Sequence, residues 1–168
     1  GFEWFEGIPG NVGGALRMNA GAMGSEAFDQ VISVRYVDAG GEFHTRTPME
    51  MDVYYRNVPF LKDNFAVSAT FSGQSAPSDV IEARMDESVR KRRNSQPRES
   101  SAGCVFKNPS AIPAGKLVDE LGMKGQRVGG ARVSEVHGNF LVNEKNATAA
   151  EFLDLIEKVR AKAAAERG

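Results

Sequence analysis

The C-terminal stretch carries the clearest periodic signal in the chain. Phe152, Leu155, Ile156, Val159 and Ala163 recur at steps of three and four residues, which places them on one stripe of an α-helix. Thr148 with Glu151 three residues on predicts a capping box at its start, and Gly168 a stop at its end. Upstream, Val31 to Asp38 is rich in β-branched residues and partly alternates, and Ala39-Gly40-Gly41 turns it into Glu42-Phe43-His44-Thr45. A β-hairpin is expected there. Pro48 to Asp52 reads as one helical turn and Phe65 to Phe71 as a strand. Asp79 caps an expected helix running to about Arg93, followed by a loop over 94–103 and a short strand from Cys104 to Lys107. A short helix from Ala114 to Leu121 ends at Gly122, Val128 to Val133 is turn-rich, and Phe140 to Asn143 reads as a buried strand.

Glycine placement adds local detail. Six of the 18 glycines fall between Gly7 and Gly24, so the backbone there turns tightly or lies close to something. Gln74 to Ser78 joins small and polar residues to Pro77 just before the pattern changes, and it is the best linker candidate. Two parts follow, residues 1–78 and 79–168.

At 168 residues and 41% apolar content the chain can bury a core. Its 21 basic and 22 acidic residues leave a net charge of -1, which gives no global field for nucleic acid or an anionic membrane. No nucleic-acid or membrane partner and no metal are expected. One cysteine excludes a disulfide framework, no run approaches the roughly 20 apolar residues of a membrane span, and Gly1 to Glu6 does not read as a signal peptide. A reducing cytoplasm is the expected compartment.

Three segments carry candidate chemistry. The loop from Gly7 to Ala15 is either a structural turn or, if Asn11 opens a helix, a set of backbone N–H groups facing a phosphate; its spacing matches neither the dinucleotide motif nor the P-loop. Arg56 follows Tyr54-Tyr55 in a polar, turn-like segment and is either a solvated side chain or, in a cleft, a planar fork for a carboxylate. The basic run Arg90-Lys91-Arg92-Arg93 is a solvated helix face or, with Lys107, a counter-charge for a diphosphate. Cys104 admits three roles: a small buried hydrophobe, a nucleophile, or a proton donor. A nucleophile needs a base, and the only histidines are His44 and His137, the latter beside Glu135. A proton donor needs only a thiol that stays protonated near neutrality, as a reference pKa of about 8.5 allows. Spacing alone ranks inert packing first.

Four blocks together resemble the UDP-N-acetylenolpyruvoylglucosamine reductase (UDP-N-acetylmuramate dehydrogenase) family, in its shorter second type. They are Gly7 to Ala15 with Met18 to Ala22; Tyr54-Tyr55-Arg56; Ser101 to Pro109; and Gly129 to Ala131 through Val133-Ser134-Glu135 to Asn139 to Asn143. The resemblance implies an α+β chain: the second half of a flavin-binding domain followed by a small α+β substrate-binding domain. It implies FAD-dependent reduction of UDP-N-acetylglucosamine enolpyruvate to UDP-N-acetylmuramate for peptidoglycan, with a nicotinamide cofactor, NADPH, reducing the flavin. Under it Cys104 gives the proton and Arg56 steadies the substrate carboxylate. Ile8, Pro9, Gly10, Val12 and Gly13 lie near the flavin, while Tyr55, Gln96, Lys107, Asn108 and His137 meet the substrate. The family's N-terminal flavin segment and its C-terminal catalytic glutamate have no counterpart in these residues, so the chain alone is expected to bind FAD weakly or not at all and to be inactive. Two rival readings remain: a cysteine-nucleophile hydrolase or transferase using Cys104 and His137, and a UDP-sugar-binding module.

Overall fold

The computed structural model describes residues 1–168 and divides into two compact units, Gly1–Arg90 and Lys91–Gly168. The first holds α1 (Val12–Arg17), a minimal ribbon of β1 (Gly21–Ala22) and β2 (Ser25–Glu26), then β3 (Val31–Val37), β4 (Phe43–Arg46), α2 (Phe60–Asp63) and β5 (Phe65–Phe71). The long helix α3 (Ser78–Ser95) follows, and the division falls within it. The expected boundary at 78/79 lies at the N-terminal end of this helix, ahead of the division at Arg90/Lys91.

In the first unit β3 is the central strand of a three-stranded antiparallel sheet, order β4-β3-β5. From Val34 on its burial follows the pleat, with Val34 and Tyr36 inside and Arg35 outside, while the irregularity between Val31 and Ser33 breaks the alternation and leaves Val31 buried and Ile32 exposed. Leu16 of α1, Leu61 of α2, Val58 and Met51 pack with Val31 and Val34 into one core. Helix α1 contains Gly13 and Gly14, poor helix formers, yet it is held at both ends. Asn11 Oδ1 accepts from Gly14 N at 2.8 Å, and Leu16 is almost fully buried. The turn expected at Pro48 is a 3₁₀ turn, Pro48–Glu50, closed by a capping box between Thr47 and Glu50.

The second unit is a four-stranded antiparallel sheet of β6 (Ser101–Cys104), β7 (Arg127–Val128), β8 (Ala131–Val133) and β9 (Phe140–Asn143), in the order β6-β9-β8-β7. Helices α4 (Ala114–Glu120) and α5 (Ala149–Arg167) complete it, with α5 packed on β7, β8 and α4. Val133 and Leu141 of the sheet, Val118 of α4, and Leu155 and Val159 of α5 form its core. The capping box of Thr148 and Glu151 is present, so the C-terminal helix starts where its sequence predicts. Gly122 ends the α4 region with φ at +65°, a backbone that few side chains tolerate.

One strand differs from its expected place. The strand expected over Cys104 to Lys107 lies over Ser101–Cys104 instead. Small residues at 101–103 read as loop, but strand position is set by the partner: Ser101 pairs with Val142 and Cys104 with Phe140, with an irregularity between them. Gly103, at φ +72°, absorbs that bulge. The turn-rich stretch near Gly129 and Gly130 is likewise the bend of a tight β7–β8 hairpin.

Leu141 is wholly buried between sheet and helices, so Leu141→Ala should lower unfolding free energy by about 3 kcal/mol. Leu153→Ala, on an exposed position of α5, should change it by less than about 0.5 kcal/mol. Urea unfolding of both variants measures the contrast.

Candidate functional site

Tyr55 and Arg56 form the tip of a tight turn closed by Tyr54 N to Asn57 O at 2.9 Å and Asn57 N to Tyr54 O at 3.1 Å. Arg56 takes φ +55°, unusual for a residue with a Cβ. Its guanidinium offsets that strain. Nη2 donates to Gly21 O at 2.6 Å, and Nη1 donates to Asn19 O at 3.1 Å and to Glu26 Oε1 at 3.3 Å. The Tyr55 ring lies against its other face at 4.7 Å. The side chain is 28% exposed, so the solvated reading of Arg56 does not hold: it is docked onto the β1–β2 ribbon.

That dock rests on Asn19, which is buried at φ +39°. Its Nδ2 donates to Glu26 Oε2 at 2.7 Å and to Tyr54 O at 3.3 Å, while Oδ1 accepts from Phe28 N at 3.2 Å. Gly21 is required for space, since a Cβ there would stand 2.6 Å from Ser25 O and 2.8 Å from Arg56 Nη1.

In the same unit the glycine loop borders a cleft of about 680 Å³, walled by Ile8, Pro9, Gly10, Val12 and the rings of Phe2, Phe5 and Phe71. Gly13, on α1, is exposed and is not part of this wall. Gly10 has φ +127° and open space on its Cβ side. The walls are mostly apolar, and the volume falls within the range of cofactor pockets. This lining suits a planar aromatic ring system, and it fits a flavin portion better than a bare phosphate.

In the second unit Cys104 is exposed, at the end of β6 immediately after the Gly103 bulge. The inert-packing role that spacing favoured is therefore excluded. The chain that follows is held from beneath by Asn139, which is 2% exposed. Asn139 Oδ1 accepts from Phe106 N and Nδ2 donates to Phe106 O, both at 2.8 Å, while Asn139 O accepts from Val105 N at 3.0 Å. Lys107 and Asn108 then emerge exposed. Asn108 Oδ1 accepts from Ala114 N at 3.0 Å, which ties the segment to the start of α4. Gln96, half-buried, follows the last turn of α3, its N–H donating to Arg92 O.

His137 sits partly buried under α4, where a Cβ on Gly115 would approach its Cε1 to 2.6 Å. Nδ1 accepts from Asn139 N at 3.1 Å, and Ser134 Oγ accepts from His137 N at 3.4 Å. Burial holds its pKa below the ordinary 6.5. With Nδ1 committed as acceptor, the neutral ring carries its proton on Nε2. Nδ1 faces the Asn139 N–H and the lowered pKa makes the ring a weak base, so this arrangement gives no support to the Cys104–His137 nucleophile reading. Glu135 points elsewhere, paired with Arg132 at 3.8 Å.

Asn19, Glu26, Ser134 and Asn139 are the residues that sequence reasoning did not assign. Asn19, Ser134 and Asn139 fall inside the matching blocks, but no spacing rule marks a buried amide that grips distant backbone.

Both halves match known families. Residues 1–46 match a FAD binding domain, and residues 96–168 match the C-terminal domain of UDP-N-acetylenolpyruvoylglucosamine reductase. The class is thus a flavin-binding segment joined to a reductase C-terminal domain. Among curated relatives, a UDP-N-acetylenolpyruvoylglucosamine reductase of Methylorubrum extorquens is 46% identical over 161 residues, covering 95% of this chain and 52% of the relative. That of Clostridium novyi (strain NT) is 43% identical over 162 residues, covering 95% and 53%. The crystal structure of UDP-N-acetylenolpyruvylglucosamine reductase from Thermus caldophilus superposes with a TM-score of 0.88 at 40% identity, over 96% of this chain and 60% of that one. The chain is similar to these UDP-N-acetylenolpyruvoylglucosamine reductases along nearly all of its own length, and it spans about half the length of the curated relatives it matches. Its mixed helix and sheet content agrees with the expected α+β class.

Two outcomes follow from this geometry. Because the folded His137 has the lower pKa, the unfolded chain takes up its proton first on acidification. The associated stability is present above pH 6.5 and is lost as pH falls through His137's own lower midpoint. NMR titration of its ring should give that midpoint below 6.5, and His137→Gln should flatten this part of the stability profile. Asn139→Ala strands both backbone groups of Phe106 and should cost about 2–4 kcal/mol, with faster amide exchange at Phe106.

Proposed function

We propose that the chain is the part of a flavin-dependent reductase that acts on UDP-N-acetylglucosamine enolpyruvate, giving UDP-N-acetylmuramate for peptidoglycan. The observation that carries the reading is the exposed Cys104 thiol, presented on a glycine bulge within the reductase C-terminal match. The cleft beside the glycine loop supports FAD as the cofactor, through Ile8, Pro9, Gly10 and Val12 on its wall, with Gly13 next in the chain. When bound there, FAD supplies the hydride, after reduction by NADPH.

The chemistry left to the chain is polar. Addition of a hydride to the methylene carbon of the enolpyruvyl ether breaks its C=C π bond and pushes the electron pair onto the adjacent carbon and its carboxylate. Arg56 offers that carboxylate a preset planar cation, whose attraction grows as enolate charge develops. Cys104 S–H then donates its proton to the adjacent carbon, completing a two-electron reduction, and the thiolate recovers a proton from solvent. Lys107, as an exposed point charge, suits the diphosphate. Asn108, Gln96, Tyr55 and His137 Nε2–H are the neutral contacts assigned to the substrate.

The partners are therefore the enolpyruvyl UDP-sugar and a nicotinamide cofactor, with neither nucleic acid nor membrane. No helix is long and apolar enough to cross a membrane, and the reading assigns the protein to the cytoplasm.

Stopped-flow mixing of the reduced, flavin-loaded full-length protein with the enolpyruvyl substrate tests the assignment. Cys104→Ser should keep measurable flavin reoxidation, since a hydroxyl still relays a proton, whereas Cys104→Ala should slow it by roughly 10²–10⁴-fold. An unchanged rate in Cys104→Ala would remove the thiol from the reaction.

A further inference from the structure

We infer that Glu26 is a positioning residue for Arg56: its carboxylate fixes the plane of the guanidinium so that one two-donor edge stays open for the substrate carboxylate. The inference rests on the proposed reductase function for the identity of that substrate.

The donor count leads to it. A guanidinium has five N–H hydrogens. Three of those of Arg56 are engaged, two on Nη1 by Asn19 O and Glu26 Oε1, and one on Nη2 by Gly21 O. Gly21 also stands beside Nη1, close enough that a Cβ would come within 2.8 Å of it. The Nη2 hydrogen it accepts is therefore the one turned toward Nη1. The two hydrogens that remain, Nε–H and the outer Nη2–H, are parallel and on a single edge, the arrangement that takes a carboxylate with two bonds.

Gly21 O and Asn19 O are backbone acceptors and carry no net charge. Glu26 is the charged member of the set, and its two oxygens serve different donors: Oε1 takes Arg56 Nη1 and Oε2 takes Asn19 Nδ2 at 2.7 Å. Its carboxylate also accepts from the Asp29 N–H, while Asp29 Oδ2 fixes the Glu26 N–H at 2.7 Å. Only a carboxylate accepts on both oxygens at once; a glutamine would turn an NH₂ toward one of two donors. Without that anchor, Arg56 keeps its backbone position but is free to rotate about its terminal bonds. Misplacement of about 1 Å in such a clamp costs on the order of 10²-fold in rate.

The test uses the full-length, flavin-loaded protein in four forms: wild type, Glu26→Gln, Arg56→Ala, and the double variant. Glu26→Gln should slow substrate-driven flavin reoxidation by roughly 10- to 100-fold and leave flavin reduction by the nicotinamide cofactor at the wild-type rate. Glu26→Asp, which keeps two acceptor oxygens, should recover part of the loss. In the Arg56→Ala background Glu26→Gln should have no further effect, because its influence passes through the guanidinium. A further loss there as large as in the wild type would overturn the proposal and assign Glu26 to folding of the ribbon alone. An independent readout is ¹⁵N NMR of the arginine side chains. Separate Nη signals for Arg56 should be present in the wild type and merge in Glu26→Gln; unchanged signals would overturn the inference. If the wild-type flavin is not reoxidised by the enolpyruvyl substrate, the functional reading fails by itself, and the NMR comparison still decides whether Glu26 holds Arg56.

Discussion

Burying a side-chain amide costs several kcal/mol unless both of its ends are bonded, and each compact unit contains one that meets this condition by gripping a distant stretch of backbone. Asn139 takes both polar groups of Phe106, 33 residues away. Asn19 joins Tyr54 O, 35 residues away, to Phe28 N and Glu26. The cost of leaving either amide unpaired is what makes the segments around Cys104 and Arg56 rigid. Neither segment has regular structure of its own that would hold it: one leaves the sheet at Cys104, and the other is a two-residue turn. Side-chain amides suit the task because they match a peptide unit donor for acceptor, as a missing strand would.

Glycine has the complementary role at two points. Gly103 lets β6 bulge so that the next side chain faces outward instead of into the core. Gly21 allows the Arg56 guanidinium to lie directly on backbone carbonyls. In both places the missing Cβ gives a thiol or a charged group a fixed address close to main chain, where loop side chains are otherwise mobile.

The legible parts of the sequence were those governed by short-range rules. The helix after Thr148, the hairpin around Gly40 and the strand from Phe65 to Phe71 follow from periodicity, capping and turn chemistry within a few residues. The strand at Ser101–Cys104 was displaced in the sequence reading because its position is dictated by β9, which no local pattern of Ser, Ala and Gly reveals. Cys104 and Arg56 stand out in the sequence only as a lone thiol and a turn arginine, and the roles proposed for them come from the resemblance of the four blocks. Spacing alone favoured a buried thiol and a solvated cation, and the structure has the reverse in each case. Glu26 had no signal at all. In the structure it caps the turn Ala27–Asp29, and its second commitment, to Arg56, is to a residue 30 positions away that no local pattern reveals.

The two cations assigned to the substrate differ in a way their surroundings explain. Arg56 is desolvated on one side, with its plane fixed by three acceptors and a ring. A planar carboxylate whose charge grows during reaction is best served by such a fork, because no reorganisation is needed as the charge appears. Lys107 is exposed and has no fixed plane, and a diphosphate, with many equivalent oxygens, demands charge rather than orientation. Exchanging the two residue types would therefore lose more at 56 than at 107: a lysine at 56 keeps the charge but not the two-donor edge, nor the planar set of bonds to Asn19 O, Gly21 O and Glu26 that offsets the strain of the +55° backbone angle.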